Sequence, residues 1–315
     1  MTTKPLSEIL KTTHPLVQAP MSWLTDAKLV AAVSNAGGLG ILGPNAGQTE
    51  PVHGMEKHTQ LMRQQIRQTR KLTAKSFGIN IVLEDEPATH MWGMLKLAFE
   101  EQIKYYAVVG EPNQDVYRQI KSHGGIILAR PLTPTVENAR LAEQYGADIF
   151  VATGFDEGGD LPNNHWGTFT VVPAIVDVIN IPVLAAGGIT DNRGVKAAMA
   201  LGADGVYLGT RFLATQESPA ALDVKEKIIN STYKDLVEMS SDRRSINTVA
   251  AANYYDQYQN SRNTQGIDSE ISKNGGARPG MLEGEHDKGV IFVNTGIDTI
   301  KDIPSVRDLV ERLMA

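Results

Sequence analysis

From residue 14 onward the chain repeats one unit, a short apolar run, a turn containing glycine or proline, and a longer stretch with helical spacing of apolar residues. The apolar runs fall at residues 16–20, 39–42, 76–82, 105–109, 126–129, 149–152, 183–186 and 205–208. Strands that alternate apolar and polar residues belong to sheets with one wet face, whereas parallel strands covered on both faces read as continuous apolar runs, as these do. Eight of them separated by helices is the number that closes a parallel barrel. The expected fold is therefore α/β, a TIM-type (β/α)8 barrel, with helices over 25–36, 54–72, 90–102, 116–122, 135–145, 171–179 and 193–201. A recurring junction supports it: Ala36-Gly37-Gly38-Leu39, His123-Gly124-Gly125-Ile126, Tyr145-Gly146-Ala147-Asp148 and Leu201-Gly202-Ala203-Asp204 each end a helix and lead into a strand. Glycine there supplies the left-handed residue that closes a helix.

After Thr215 the character changes. Residues 222–239 have helical spacing, 247–258 are rich in Ala, Asn and Tyr, and 261–280 are polar with interspersed glycine, without apolar strand runs. The expectation is a helical cap, residues 216–287, inserted over the C-terminal face of a barrel made of 1–215 and 288–315. Residues 290–293 and 303–314 resume the barrel pattern, with Val306, Leu309, Val310 and Leu313 on one helical face.

Composition removes several chemistries. The chain of 315 residues has no cysteine, which excludes thiolate catalysis, Cys-ligated zinc and iron–sulfur clusters. Lys and Arg number 30 against 36 Asp and Glu, a formal charge of −6 with the signs mixed, so no nucleic-acid partner is expected. The opening segment carries Lys4, Glu8 and Lys11 and no continuous apolar core, so no cleaved leader is expected. No apolar run reaches the ~18 residues of a membrane span. The expectation is a cytoplasmic protein with a small-molecule substrate, and a homodimer is compatible with it.

In such a barrel the site lies at the C-terminal strand ends, with phosphate bound after the seventh and eighth strands. The seventh run ends Ala185-Ala186-Gly187-Gly188-Ile189 and the eighth Tyr207-Leu208-Gly209-Thr210-Arg211. Glycine lets backbone N–H groups approach phosphate oxygens, Thr210 adds a hydroxyl, and Arg211 can add charge. The first run ends Gln18-Ala19-Pro20-Met21, an apolar and flexible rim for an aromatic ring system, and Asn80 places an amide inside the third. Asn80 alone serves equally well as a partner of neighbouring backbone.

These pieces, with Gly154-Phe155-Asp156-Glu157-Gly158-Gly159 and Met281-Leu282-Glu283-Gly284, resemble in order and spacing the nitronate monooxygenase (2-nitropropane dioxygenase) family over nearly the whole chain. That family also contains FMN-dependent enoyl-acyl-carrier-protein reductases and NAD(P)H:quinone reductases. The resemblance implies a noncovalent FMN lined by Ala19, Pro20, Met21, Asn80, Thr153, Gly158, Gly187 and Gly188, with Tyr207, Leu208, Gly209 and Thr210 at its phosphate. Two departures stand out. The family's Gly-Gly-His is Gly158-Gly159-Asp160 here, and its Gly-Gln loop is Asn294-Thr295-Gly296. The missing histidine is the family's usual catalytic group, and a carboxylate at ~3.9 is a poor proton donor at neutral pH and repels an anionic nitronate. His165, five residues further on, is the expected substitute, with Asp160 orienting its imidazole. The remaining histidines lack metal-ligand spacing, and no GxGxxG opens a helix after the first strand, so any NAD(P)H binds transiently over the flavin. The leading expectation is an FMN-dependent oxidoreductase that oxidises alkyl nitronates with O2. The alternatives are NAD(P)H-dependent enoyl-thioester or quinone reduction, a flavin-binding protein without turnover, and a non-flavin barrel acting on sugar phosphates.

Overall fold

A computed structural model describes residues 5–83 and 88–315; Lys4 lies outside the described residues. A short helix, α1 (Leu6–Leu10), precedes a run of alternating elements: β1 (Leu16–Gln18), α2 (Ala27–Asn35), β2 (Leu39–Leu42), α3 (Met55–Leu72), β3 (Phe77–Val82), α4 (Thr89–Glu100), β4 (Tyr105–Val109), α5 (Gln114–Ser122), β5 (Ile126–Arg130), α6 (Val136–Gln144) and β6 (Ile149–Thr153). A two-residue strand, β7 (Gly159–Asp160), leaves the barrel, and α7 (Thr168–Val176), β8 (Val183–Ala186), α8 (Asn192–Ala200), β9 (Gly205–Leu208) and α9 (Thr210–Leu213) complete it. The eight strands β1-β2-β3-β4-β5-β6-β8-β9 form a closed barrel. All pairs are parallel, and β9 returns to β1 through Leu16↔Val206, Val17↔Tyr207 and Gln18↔Leu208.

The strands divide their side chains by the two-residue period. Val17, Leu39, Ile41, Tyr105, Ala107, Leu128, Ile149, Val151, Leu184 and Tyr207 fill the barrel, and Leu6 and Leu10 of α1 join them. Their sequence neighbours, among them Leu16, Tyr106, Ile127, Phe150, Val183 and Val206, face outward onto the helices. Helix starts follow local chemistry: Asp26 accepts from the Leu29 N–H, Thr135 and Asn138 form a reciprocal box, and Asp191 accepts from Arg193 and Gly194. No helix among the described residues is long and apolar enough to cross a membrane.

The segment after α9 contains α10 (Leu222–Asn230), β10 (Leu236–Ser240), β11 (Arg243–Ile246), α11 (Val249–Ser261) and α12 (Thr264–Lys273), and α13 (Val306–Leu313) follows near the C-terminus. The helix expected over 222–239 thus ends at Asn230, and a hairpin appears where no strands were expected. Its strands escaped notice because β11 begins Arg243-Arg244. Those side chains pair with carboxylates of Asp160, Asp268 and Glu238, so no apolar run marks the strand. Strand β11 also pairs with β7, Arg243↔Asp160 and Arg244↔Gly159, which ties the inserted hairpin to the loop after β6. Residues 290–293 do not rejoin the barrel: Ile291 bridges to Ile246, and Ile291 and Val293 pack with Trp23, Leu213, Ile228 and Met281 in a separate core under the insert. α13 then packs on α2 and α8 of the barrel wall.

Gly40 of β2 shows how tightly wall and strands meet, because a Cβ there would lie 2.4 Å from the Val30 carbonyl oxygen and 2.8 Å from its Cα. Backbone cannot give way as a side-chain tip can. Gly40→Ala should cost about 1–3 kcal/mol, read as a lower midpoint in thermal or denaturant unfolding.

Candidate active site at the barrel mouth

The C-terminal strand ends and the insert enclose a cavity of about 680 Å³, within the range of small-molecule and cofactor sites. Its floor comes from the strands: Ala19, Pro20 and Met21 after β1, Asn80 and Val82 of β3, Arg130 of β5, the Glu157–Asp160 loop after β6, Ala186 and Gly187 at β8, and Tyr207 to Thr210 at β9. Its roof comes from the insert, with Arg243, Lys273, Gly275 and Met281, and from the segment that follows it, with Phe292 and Asn294.

Of the residues expected at the cofactor, Ala19, Pro20, Met21, Asn80, Gly158, Gly187, Tyr207, Leu208, Gly209 and Thr210 line this one cavity. Thr153 and Gly188 do not line it. Thr153 ends β6, fully covered, with a hydroxyl that has no partner. Gly188 follows Gly187 with both at positive φ, +70° and +99°, and its missing side chain would press on Asp156. The Asn80 amide donates to the Ala107 carbonyl at 2.8 Å, the neighbouring-backbone role weighed for it, while the residue still lines the cavity. Arg211 turns away: its guanidinium binds the Ala214 carbonyl at 3.2 Å and the Asp302 carboxylate at 2.6 Å.

His165 is not among the lining residues. It is exposed, at φ 54°, with its ring stacked on Phe155 at 4.3 Å between centroids. The role of substitute for the family histidine therefore finds no support in its placement, and among the described residues no hydrogen bond joins an imidazole to Asp160. Asp160 does line the cavity, and its carboxylate pairs with Arg243. The repulsion expected between that carboxylate and an anionic substrate is corrected by this guanidinium, which sequence reading missed because β11 pairs with β7 only in the folded chain.

A second pair lies on the floor. Glu157 Oε2 accepts from Arg130 Nη2 at 2.6 Å, both side chains being nearly enclosed. Burial pushes the Glu157 carboxyl up to about 7, outweighing the attraction of Arg130, Arg244 and Arg243. Burial also raises the Tyr207 hydroxyl well above its usual range. Arg130 had one legible signal, a cation at the C-terminal end of the apolar run Ile126-Ile127-Leu128-Ala129, where barrel sites are built.

Several polar groups here wait for a partner. Asn294 lines the cavity with a buried side-chain oxygen that accepts nothing, while its backbone N–H donates to Thr210 Oγ1 at 3.0 Å. Among the described residues no backbone carbonyl accepts the amide hydrogens of Gly187, Gly188 or Gly209. Unpaired polar groups beside two glycine-lined strand ends suit a ligand with a phosphate and a heteroaromatic edge.

The family model described as nitronate monooxygenase matches residues 3–315. The chain belongs to the nitronate monooxygenase family. Its members are flavin-dependent oxidoreductases, so this family member is a flavin enzyme. It is 34% identical over 74% of its length to a probable nitronate monooxygenase of Staphylococcus aureus, covering 74% of that protein. It is 29% identical to an octahydroindene-carboxyl-CoA dehydrogenase of Rhodococcus jostii, covering 98% of this chain and 94% of that one. Among solved structures, FabK from Thermotoga maritima superposes with a TM-score of 0.85 at 29% identity, over 99% of this chain and 95% of that one.

Gly158 tests the assembly of the cavity. A Cβ there would lie 2.5 Å from the Val293 carbonyl carbon and 2.9 Å from the Asn294 nitrogen. Gly158→Ala must push away the segment that carries Asn294, and should raise the flavin dissociation constant about tenfold or more, ~1.4 kcal/mol, in equilibrium titration. His165→Ala should leave turnover nearly unchanged, because the residue is exposed and does not line the cavity.

Proposed function

We propose that this family member holds FMN in the barrel mouth and oxidises alkyl nitronates with O2. The observation that carries the reading is the convergence of two glycine-lined strand ends, at Gly187 and at Gly209-Thr210, with the unpartnered side-chain oxygen of Asn294 on one cavity. Gly187, Gly209 and Thr210 would hold the phosphate, and Ala19, Pro20, Met21 and Asn80 would border the ring system. Bound flavin supplies the two-electron chemistry; the protein supplies orientation and charge.

The roof supplies what an alkyl nitronate needs. Met281 and Phe292 offer apolar surface for the alkyl group, and Arg243 and Lys273 offer positive charge for the nitronate oxygens. Asp160 fixes the Arg243 guanidinium, aided by Asp268 at 3.6 Å and the Phe292 ring at 6.0 Å. The carboxylate at the family's histidine position thereby acts as a holder of the anion-binding cation and moves no proton. A nitronate arrives already deprotonated, so its binding needs no base.

A second reading, reduction of an enoyl thioester or quinone by NAD(P)H passing transiently over the flavin, draws support from the Rhodococcus relative. That protein is named for a CoA thioester and matches this chain from end to end.

One experiment separates the two. Purified holoprotein is mixed anaerobically with propyl nitronate, and separately with NADH and NADPH, while flavin absorbance is followed. Rapid bleaching by the nitronate is expected; bleaching by a nicotinamide alone would transfer the assignment to the reductases. Arg243→Met should raise the KM for propyl nitronate about tenfold or more, ~1.4 kcal/mol, with flavin still bound.

A further inference from the structure

One ionisable group in the cavity has no task in nitronate binding. Glu157 follows β6 with Oε2 on Arg130 at 2.6 Å and with Oε1 buried and unpartnered. Both residues belong to the strand side of the cavity, whereas Arg243, Lys273 and Met281 belong to the roof. A cofactor held at the ends of β8 and β9 would share the strand side of the cavity with Arg130 and Glu157, and Arg243 with its partner Asp160 would be left for the substrate.

We infer that Glu157 takes up a proton at Oε1 when the flavin bound in this cavity is reduced, so that its pair with Arg130 passes from neutral to singly positive as the ring gains negative charge. The inference rests on the flavin reading above. The electrons come from the substrate, the proton comes from solvent through the cavity mouth, and on reoxidation the proton returns. An ionised Glu157 cancels Arg130; a protonated one leaves the Arg130 cation to attract the electron-rich ring, and in a water-poor cavity that difference is large.

The surroundings single out this carboxyl. Arg244 from β11 is committed to the Phe155 and Glu157 carbonyls, at 3.1 and 2.8 Å. Arg243, also from β11, is committed to Asp160 and Asp268. Tyr207 from β9 stays a neutral hydroxyl, because burial raises it. In the same loop, Asp156 accepts from the Thr168 N–H at 2.7 Å and from Thr295 Oγ1, and Asp160 is paired. Arg130 is left as the cation bonded to the Glu157 carboxylate. Burial already brings this carboxyl to about 7, so one further negative charge nearby carries it across neutrality.

The test is a spectroelectrochemical titration of holoprotein, wild type and Glu157→Gln, between pH 5.5 and 8.5. The two potentials should coincide at the acid end. Above about pH 7 the wild type should fall more steeply by one proton per two electrons, tenfold in equilibrium constant or ~30 mV per pH unit, so that Glu157→Gln becomes the more easily reduced. Wild-type protein carrying 13C-labelled glutamate side chains gives a measurement independent of the variant. At pH 8 its reduced-minus-oxidised infrared difference spectrum should gain an isotope-shifted band of a protonated carboxyl. Parallel potentials, or the absence of that band, would overturn the inference while leaving nitronate oxidation standing. A protein that binds no flavin would overturn both.

Discussion

Everything at the mouth depends on the hydrogen-bonded closure of β9 onto β1. Parallel strands closed into a ring must all end on the same rim, so Ala19, Asn80, Arg130, Gly187 and Gly209, distant in sequence, border one cavity. The pairing Gln18↔Leu208 fixes where the first and last strands stop, and the Ala19 N–H extends it by donating to the Leu208 carbonyl at 2.8 Å. Leu6 and Leu10 complete the interior from the chain's N-terminal end.

The insert turns that open rim into an enclosed site. Its hairpin is anchored to the barrel by charge as well as by apolar contact: β11 pairs with β7 and carries the two arginines that hold the loop after β6. Placing guanidinium groups in a nearly enclosed space is costly unless each is paired, and each here has a carboxylate or carbonyl partner. One consequence is a site with two ion pairs: Arg130–Glu157 on the strand side, and Arg243–Asp160, which joins the hairpin to the loop after β6.

The barrel was legible because strands buried on both sides advertise themselves as unbroken apolar runs; each of the eight fell where such a run lies, the ends moving by a residue or two. The rim was legible too: Gly187 and Tyr207 to Thr210, read as strand ends facing a common site, line one cavity. Arg243 was not. Its position in a polar hairpin leaves no periodicity, and its partner Asp160 sits more than eighty residues earlier, so only the β7–β11 register reveals the pair. His165 misled for a related reason: proximity to the family motif in sequence says nothing about direction, and a left-handed backbone with the ring laid on Phe155 keeps it outside the cavity.

The most direct measurement is the absorbance spectrum of freshly purified protein, followed by release and chromatographic identification of whatever small molecule it carries. A yellow protein with one FMN per chain is expected. A colourless protein that stays so after incubation with FMN would contradict it.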